Sequence, residues 1–327
     1  MRLKSGLRGL CDGGTEIGMP NSLPNKKIIV LVGPTGVGKS EVALHLAQKF
    51  NGEIVNADSR QLYKEINIGT AKPSETALLE VPHHLYGFLG PHSSWDAAKF
   101  VEEADKVIAS VHGRNRLPII VGGTGLYVRA LLYGLLSGPK ANAEIRKRLK
   151  DVIKNEGLLA LYKELEKVDP VSAATIHPHD PVRIIRALEV YELTGKPQSQ
   201  IQEEHGFQKS RYDFLMLGFL CEREKLVRHL NKRVNAMIEA GLEAEVRNLV
   251  SHYGWCDLLK TTIGYQEWEP YFEGKISLNQ TVEQIKINTR QYAKRQMTWF
   301  RKEKKVKWME AGKLREMEEM MKGFLNL

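Results

Sequence analysis

From residue 27 onward, short apolar runs alternate with longer stretches in which apolar positions recur every three or four residues. KIIVLVG (27–33), EIVNA (53–57), HLYGF (84–88) and LPIIVGG (117–123) are too short for helices and rich in β-branched or aromatic residues, which predicts buried strands. Between them, SEVALHLAQKF (40–50) and FVEEADKVIASVHG (100–113) carry the helical period. Strands and helices alternating at this spacing build βαβ units and a mainly parallel sheet. Residues 138–211 read differently: AEIRKRLKDVIKNEGLLALYKELEKV and PVRIIRALEVYELTG are charged helical sequence with no strand run. They predict a helical insertion. YDFLMLGF (212–219) then returns the chain to the sheet, and residues 222–250 and 281–302 predict long helices. The expected organisation is an α/β core of residues 27–137 and 212–310, a helical insertion domain over 138–211 and a C-terminal helical tail over 311–327.

Residues 1–26 lack any periodicity, and a second methionine, Met19, stands eight residues before Lys27, so this stretch reads as a disordered tail or a mis-assigned start. Its basic, acid-free opening also suits the beginning of a targeting segment, although it has no apolar signal core. With 42% hydrophobic and 27% charged residues among 327, the remainder has the composition of a folded globular protein. No apolar run approaches the roughly 18 residues of a membrane span, so a membrane protein is not expected. Cys11, Cys221 and Cys256 show no paired spacing, which argues against a disulfide framework or cysteine zinc site and for a reducing, cytoplasmic setting.

The net charge of +9 lies almost entirely in one place. Residues 286–307 hold nine lysines and arginines against the single acid Glu303. Read as one basic helix from Lys286 to Lys307, the run places Lys286, Arg290, Lys294 and Arg301 at relative angles of about 0°, 40°, 80° and 60°, while Ile285, Tyr292 and Trp299 share another face. A cationic stripe of this kind suits a polyanion, and a solvated surface explains it equally.

The chemistry concentrates at strand ends. Gly33-Pro34-Thr35-Gly36-Val37-Gly38-Lys39-Ser40 fits the P-loop pattern between a strand and a helix, a cradle for a diphosphate or triphosphate in a P-loop NTPase-like fold. Lys39 would supply charge and Ser40 a hydroxyl for Mg²⁺. A nucleotide hydrolase usually carries an acid after a later apolar strand, yet residues 117–121 run into Gly122-Gly123-Thr124-Gly125. That turn could present amides and the Thr124 hydroxyl to the phosphates, or Thr124 could simply cap the next helix. Asp58, just beyond the second strand, sits where α/β sheets bind ligands; a carboxylate there suits a general base, and also an ordinary turn. His83, His84, His177 and His179 show no metal-ligand spacing.

Taken together, GPTGVGKS, NADSRQLYKEINIGTAKPS, VPHHL, VGGTGLYVRALLYG, IHPHDPVRIIRALEVYELTGKP, TTIGYQEW and TRQYAKRQMTWFR, in this order, resemble the tRNA dimethylallyltransferase family, also called isopentenyltransferases. The resemblance covers about residues 27–310. It implies that the P-loop holds dimethylallyl diphosphate and that the acceptor is the exocyclic N6 amine of adenine 37, immediately 3′ of the tRNA anticodon. By position it implies Asp58 as general base, Lys39, Thr124 and Arg146 around the diphosphate and reaction channel, and Ser40 facing Mg²⁺. It implies tRNA contacts from Asp58, Ser59, Arg60 and Gln61, from Val182, Arg183, Ile184, Ile185 and Arg186, from Gly264, Tyr265 and Gln266, and from Arg290, Lys294, Arg295 and Gln296. The partner it implies is the tRNA anticodon stem-loop, bound by a monomer. The chain shows no Cys/His zinc finger of the kind eukaryotic members often append, which favours a bacterial type. An adenylate isopentenyltransferase acting on free nucleotides, a small-molecule P-loop kinase and a non-catalytic RNA-binding switch remain as alternatives.

Overall fold

Every residue of the first strand, β1 (Lys27–Val32), is buried. The two-residue period of an extended chain divides its side chains between two apolar clusters. Ile28, Val30 and Val32 join Phe100, Ile108 and Leu131 on one face of the sheet. Ile29 and Leu31 join Leu46, Met317 and Met321 on the other. A strand covered on both faces belongs to a parallel sheet between helical layers. The computed structural model describes residues 27–135, 139, 141–206 and 209–327. Its sheet has the order β3 (His83–His84), β2 (Gly52–Asn56), β4 (Leu117–Val121), β1, β5 (Asp213–Leu220) and β6 (Val306–Glu310), with every pairing parallel. The expected tail (1–26), including Cys11, and the point where the insertion leaves the core at residue 138 lie outside the described residues.

Two expectations need correction. The run HLYGF does not continue as a strand, because Leu85 and Gly87 adopt positive φ (61° and 55°) and turn the chain after His84. The continuous basic helix over 286–307 is also not observed. The helix spans Leu278–Phe300, and the chain then re-enters the sheet as β6. β6 is an edge strand in which Val306 and Met309 are buried while Lys307 and Glu310 face outward. Lysines on an exposed edge are common, and here they conceal a strand inside a charge run.

The described residues of the segment expected as an insertion are helical and have their own core. Among the described residues it comprises the helices Ala143–Glu156, Leu158–Val168, Pro170–Thr175, Pro181–Thr194 and Gln198–His205. Leu149, Leu161, Leu165, Ile184 and Leu188 form the cluster they share. A further cluster, with Val234, Val246, Tyr265, Trp268 and Ile285, binds the helices Arg223–Glu239, Leu242–Tyr253 and Leu278–Phe300 together. The helix Leu314–Leu325 packs Met317, Met321 and Leu325 against the P-loop helix Lys39–Lys49. Its Glu318 bonds both His45 and Lys49, at 2.8 and 2.6 Å. Among the described residues no helix is long and apolar enough to cross a membrane.

Candidate functional site

Parallel strands point the same way, so the loops after β1, β2 and β4 open at one end of the sheet. After β1 the chain turns through Gly33–Ser40 into the helix Lys39–Lys49. Gly36, at φ +74°, needs the left-handed region, and a Cβ there would come within 2.6 Å of the Leu230 side chain. Lys39 curls over the loop, its Nζ donating to the carbonyls of Gly33 (3.0 Å) and Pro34 (2.8 Å). Burial pushes its pKa down to about 8, against the attraction of Asp58 and with the repulsion of Arg233. Ser40 is exposed at the start of the same helix.

After β2, buried Asn56 shapes the turn that carries Asp58: its Oδ1 accepts from the Asp58 amide (2.8 Å), and its Nδ2 donates to the carbonyls of Asp58 (3.1 Å) and Leu85 (2.9 Å). The Asp58 carboxylate accepts the Arg60 amide at Oδ1, 2.9 Å away. This is an Asx turn, so the modest reading of Asp58 as a turn residue holds, and its charge is also felt by Lys39, Arg233, Tyr86 and Tyr292. The position is structural and electrostatic at once.

After β4, Thr124 stands at the N-cap position of the helix Gly125–Tyr133 without using its side chain as a cap. Its hydroxyl instead accepts the amide of Ser59 at 3.0 Å, tying the β4 turn to the Asp58 turn. Burial, with the charge of Asp58, holds the Tyr292 phenol above its usual range. The glycines around Thr124 make room for neighbours: a Cβ on Gly123 would lie 2.0 Å from Gln296 Nε2, and one on Gly125 2.1 Å from the Trp299 ring.

Arg233 was not anticipated from the pattern, and Gln296 occupies a different place from the one expected. Arg233, on the helix Arg223–Glu239, donates to the Thr70 carbonyl at 3.2 Å, and burial lowers its pKa while Asp58 opposes the shift. A signal existed: it adjoins the apolar face of Leu230, Val234 and Met237, and no acid lies three or four positions away to pair with it. Gln296, grouped in the sequence with tRNA contacts, is buried and bridges two loops, its Oε1 accepting from the Thr35 amide (2.8 Å) and its Nε2 donating to the Gly123 carbonyl (3.0 Å).

The remaining expected residues distribute as follows. Arg146 forms a two-pronged pair with Glu189 inside the insertion, at 2.8 and 2.9 Å, and Arg186 shares that carboxylate while reaching the Pro139 carbonyl. Ile184 and Ile185 are buried in the insertion's core, whereas Val182 and Arg183 are exposed, with Arg183 on Asp180. Tyr265 is fully buried; its hydroxyl donates to Glu245 (2.5 Å) and accepts from the Gly69 amide (3.1 Å). Gly264 is buried and donates to Glu267, and Gln266 also bonds Glu267. Gln61 braces the carbonyls of Thr70 and Ala71. On the basic helix, Arg290 bonds Asn231 at 2.8 Å and Lys286 pairs with Glu283, while Lys294 and Arg295 are exposed. Trp299, aligned with the apolar face by spacing, is 37% exposed. No group of three or more His, Cys, Asp or Glu able to hold a metal is found among the described residues.

Residues 61–303 match the family model for IPP transferase, and residues 26–86 match that for isopentenyl transferase. A protein of Geotalea daltonii named tRNA dimethylallyltransferase 2 is 50% identical over 289 residues, covering 87% of each chain. The tRNA dimethylallyltransferase of Geobacter sulfurreducens is 47% identical, over 87% of this chain and 92% of its own. The crystal structure of the full-length tRNA isopentenylpyrophosphate transferase from Bacillus halodurans superposes with a TM-score of 0.69 at 37% identity, covering 92% and 97%. A eukaryotic dimethylallyltransferase captured acting on tRNA gives a TM-score of 0.75 at 32% identity, covering 90% of this chain and 76% of its own.

Proposed function

This chain belongs to the IPP transferase family, and from that premise we propose how its site performs the transfer of a dimethylallyl group to tRNA. The reaction joins the allylic carbon of dimethylallyl diphosphate to the N6 amine of adenine 37, releasing diphosphate and leaving N6-isopentenyladenosine. The observation that carries the residue assignment is the convergence of Lys39, Asp58, Arg233 and Thr124 around the loops after β1, β2 and β4.

The bond from the allylic carbon to the diphosphate oxygen breaks, and negative charge grows on the leaving group. Once the diphosphate is bound, Lys39, Arg233 and the P-loop amides are donors in place before the bond breaks, so they stabilise that charge without further reorganisation. Lys39 moves from the Gly33 and Pro34 carbonyls to the diphosphate as it binds. The N6 nitrogen forms the new bond and its proton passes to Asp58. One carboxylate oxygen already holds the Arg60 amide, and the other takes no hydrogen bond among the described residues, which supports it as the acceptor. Thr124, through the Ser59 amide, fixes the turn beside it.

Mg²⁺ fits the Ser40 end of the loop, because this ion needs few protein oxygens and shares substrate phosphates. Held there, it would neutralise part of the diphosphate charge. Arg183 and Arg186 of the insertion and Lys294 and Arg295 of the long helix are the side chains through which the anticodon stem-loop is gripped.

The test is mass analysis of nucleosides from unmodified tRNA incubated with the protein, Mg²⁺ and dimethylallyl diphosphate. A mass gain on one adenosine 3′ of the anticodon is the expected result. Prenylation of free adenine nucleotides with none on tRNA, or phosphoryl transfer from ATP, would refute it.

A further inference from the structure

Beside the Asp58 turn lies a cavity of about 650 Å³ that is lined by neither the P-loop nor Asp58 itself. Four rings, Tyr63, His92, Tyr253 and Trp255, and the guanidinium of Arg60 make its walls. His92 and Tyr253 meet edge to face with centroids 6.0 Å apart, and Trp255 is backed by Phe272 at 6.1 Å. Arg60 is fixed at both ends. Its amide holds the Asp58 carboxylate, and its Nη2 donates to the Thr261 carbonyl at 3.1 Å on the opposite wall.

We propose that this cavity receives the base of an unpaired nucleotide adjacent to the target adenine in the same RNA loop, an inference that rests on the tRNA reading above. Three observations favour that occupant. Flat rings with one guanidinium are the surface on which single-stranded bases stack, whatever their sequence. The single cation in the wall is offset by Asp257, so a polyphosphate is poorly served, whereas a base offers donors and acceptors to both charges. Arg60 also follows Asp58 by two residues, so their Cα atoms are at most about 7.6 Å apart, and a neighbour of an adenine lying on Asp58 is within reach. The chemistry demands such a receiver: extruding an adenine from a stacked loop costs its neighbours a stacking partner, and a ring-lined cavity restores one. The cavity's size lies within the range of ordinary ligand sites.

The experiment compares the parent with the double variant His92→Ala, Tyr253→Ala, both exposed side chains outside the proposed catalytic set. Affinity is measured for an anticodon stem-loop RNA and for versions made abasic at each unpaired position in turn. The double variant is expected to bind the intact loop about 10–100-fold more weakly, the size of one lost base stack. One abasic position beside the target should weaken the parent equally and leave the variant unaffected, while dimethylallyl diphosphate affinity and the thermal midpoint stay parental. Unchanged loop affinity in the double variant, or a loss common to every abasic loop, overturns the proposal while leaving the prenylation reading intact. A parent that neither binds nor prenylates the intact loop overturns both.

Discussion

Gln296 and Thr35, 261 positions apart, are joined by a 2.8 Å hydrogen bond from the Thr35 amide to the Gln296 side chain. The same amide group of Gln296 holds the Gly123 carbonyl, so a residue of the long basic helix fastens the phosphate loop to the β4 turn. Gln296→Leu would strand a backbone donor and acceptor in a dry place, at a cost of about 1–3 kcal/mol. The expected outcome is a lower thermal midpoint together with weaker dimethylallyl diphosphate binding. A variant with parental values for both would show that the strut has no influence on the loop.

Lys39 predicts an alkaline limb. Its proton leaves near pH 8 in the unliganded protein, because burial disfavours the ammonium, whereas an ordinary lysine keeps its proton to about 10.4. Since kcat/KM reports the free protein's ionisations, kcat/KM for dimethylallyl diphosphate should fall as pH rises through about 8. Bound diphosphate favours the ammonium, so kcat should stay flatter over the same range. In Lys39→Arg, whose charge persists, the limb should vanish from whatever activity remains.

Asp58 and Arg233 should fail in different ways. Asp58→Asn keeps a carbonyl oxygen for the Arg60 amide, so substrates should bind normally while single-turnover rates drop by roughly 10²–10⁴. Arg233→Ala should lower the rate by about 10²–10³ and weaken diphosphate binding, with tRNA affinity unchanged. Identical defects in the two variants would contradict the separate roles of proton acceptor and leaving-group partner.

The basic helix divides into available and occupied cations. Lys294 is exposed, while Arg290 bonds Asn231. Lys294→Ala should therefore reduce the slope of log affinity against log salt by up to about 1, and Arg290→Ala should change it less. Equal slopes in the parent and Lys294→Ala would remove Lys294 from the RNA footprint.

What the sequence revealed was local. β1 with its glycine loop, β2 with Asp58 and β4 with Thr124 are each one run followed by one turn, and the pattern of a few residues sufficed. β6 escaped because only Val306 and Met309 of its five residues are buried, too few to show as an apolar run, and its lysines merged with the cations before it. Arg233 escaped because its partners, Thr70 and Asp58, reach it only through the fold. Gln296 was visible as part of an RNA-like helix, yet its burial between two distant loops was not. Trp299, assigned by angle to the apolar face, is half-exposed, its ring lying over Gly125.

The helix Leu314–Leu325 has a consequence for how this protein is made. The P-loop helix leans on it through His45 and Glu318, which stand 273 residues apart. At about 5–20 residues per second, a ribosome needs roughly 15–55 s between the two. Throughout that interval the apolar cluster on this face of the sheet lacks Met317, Met321 and Leu325, an exposed surface of the kind a holding chaperone binds. A message cut short before residue 306 would leave that state permanent.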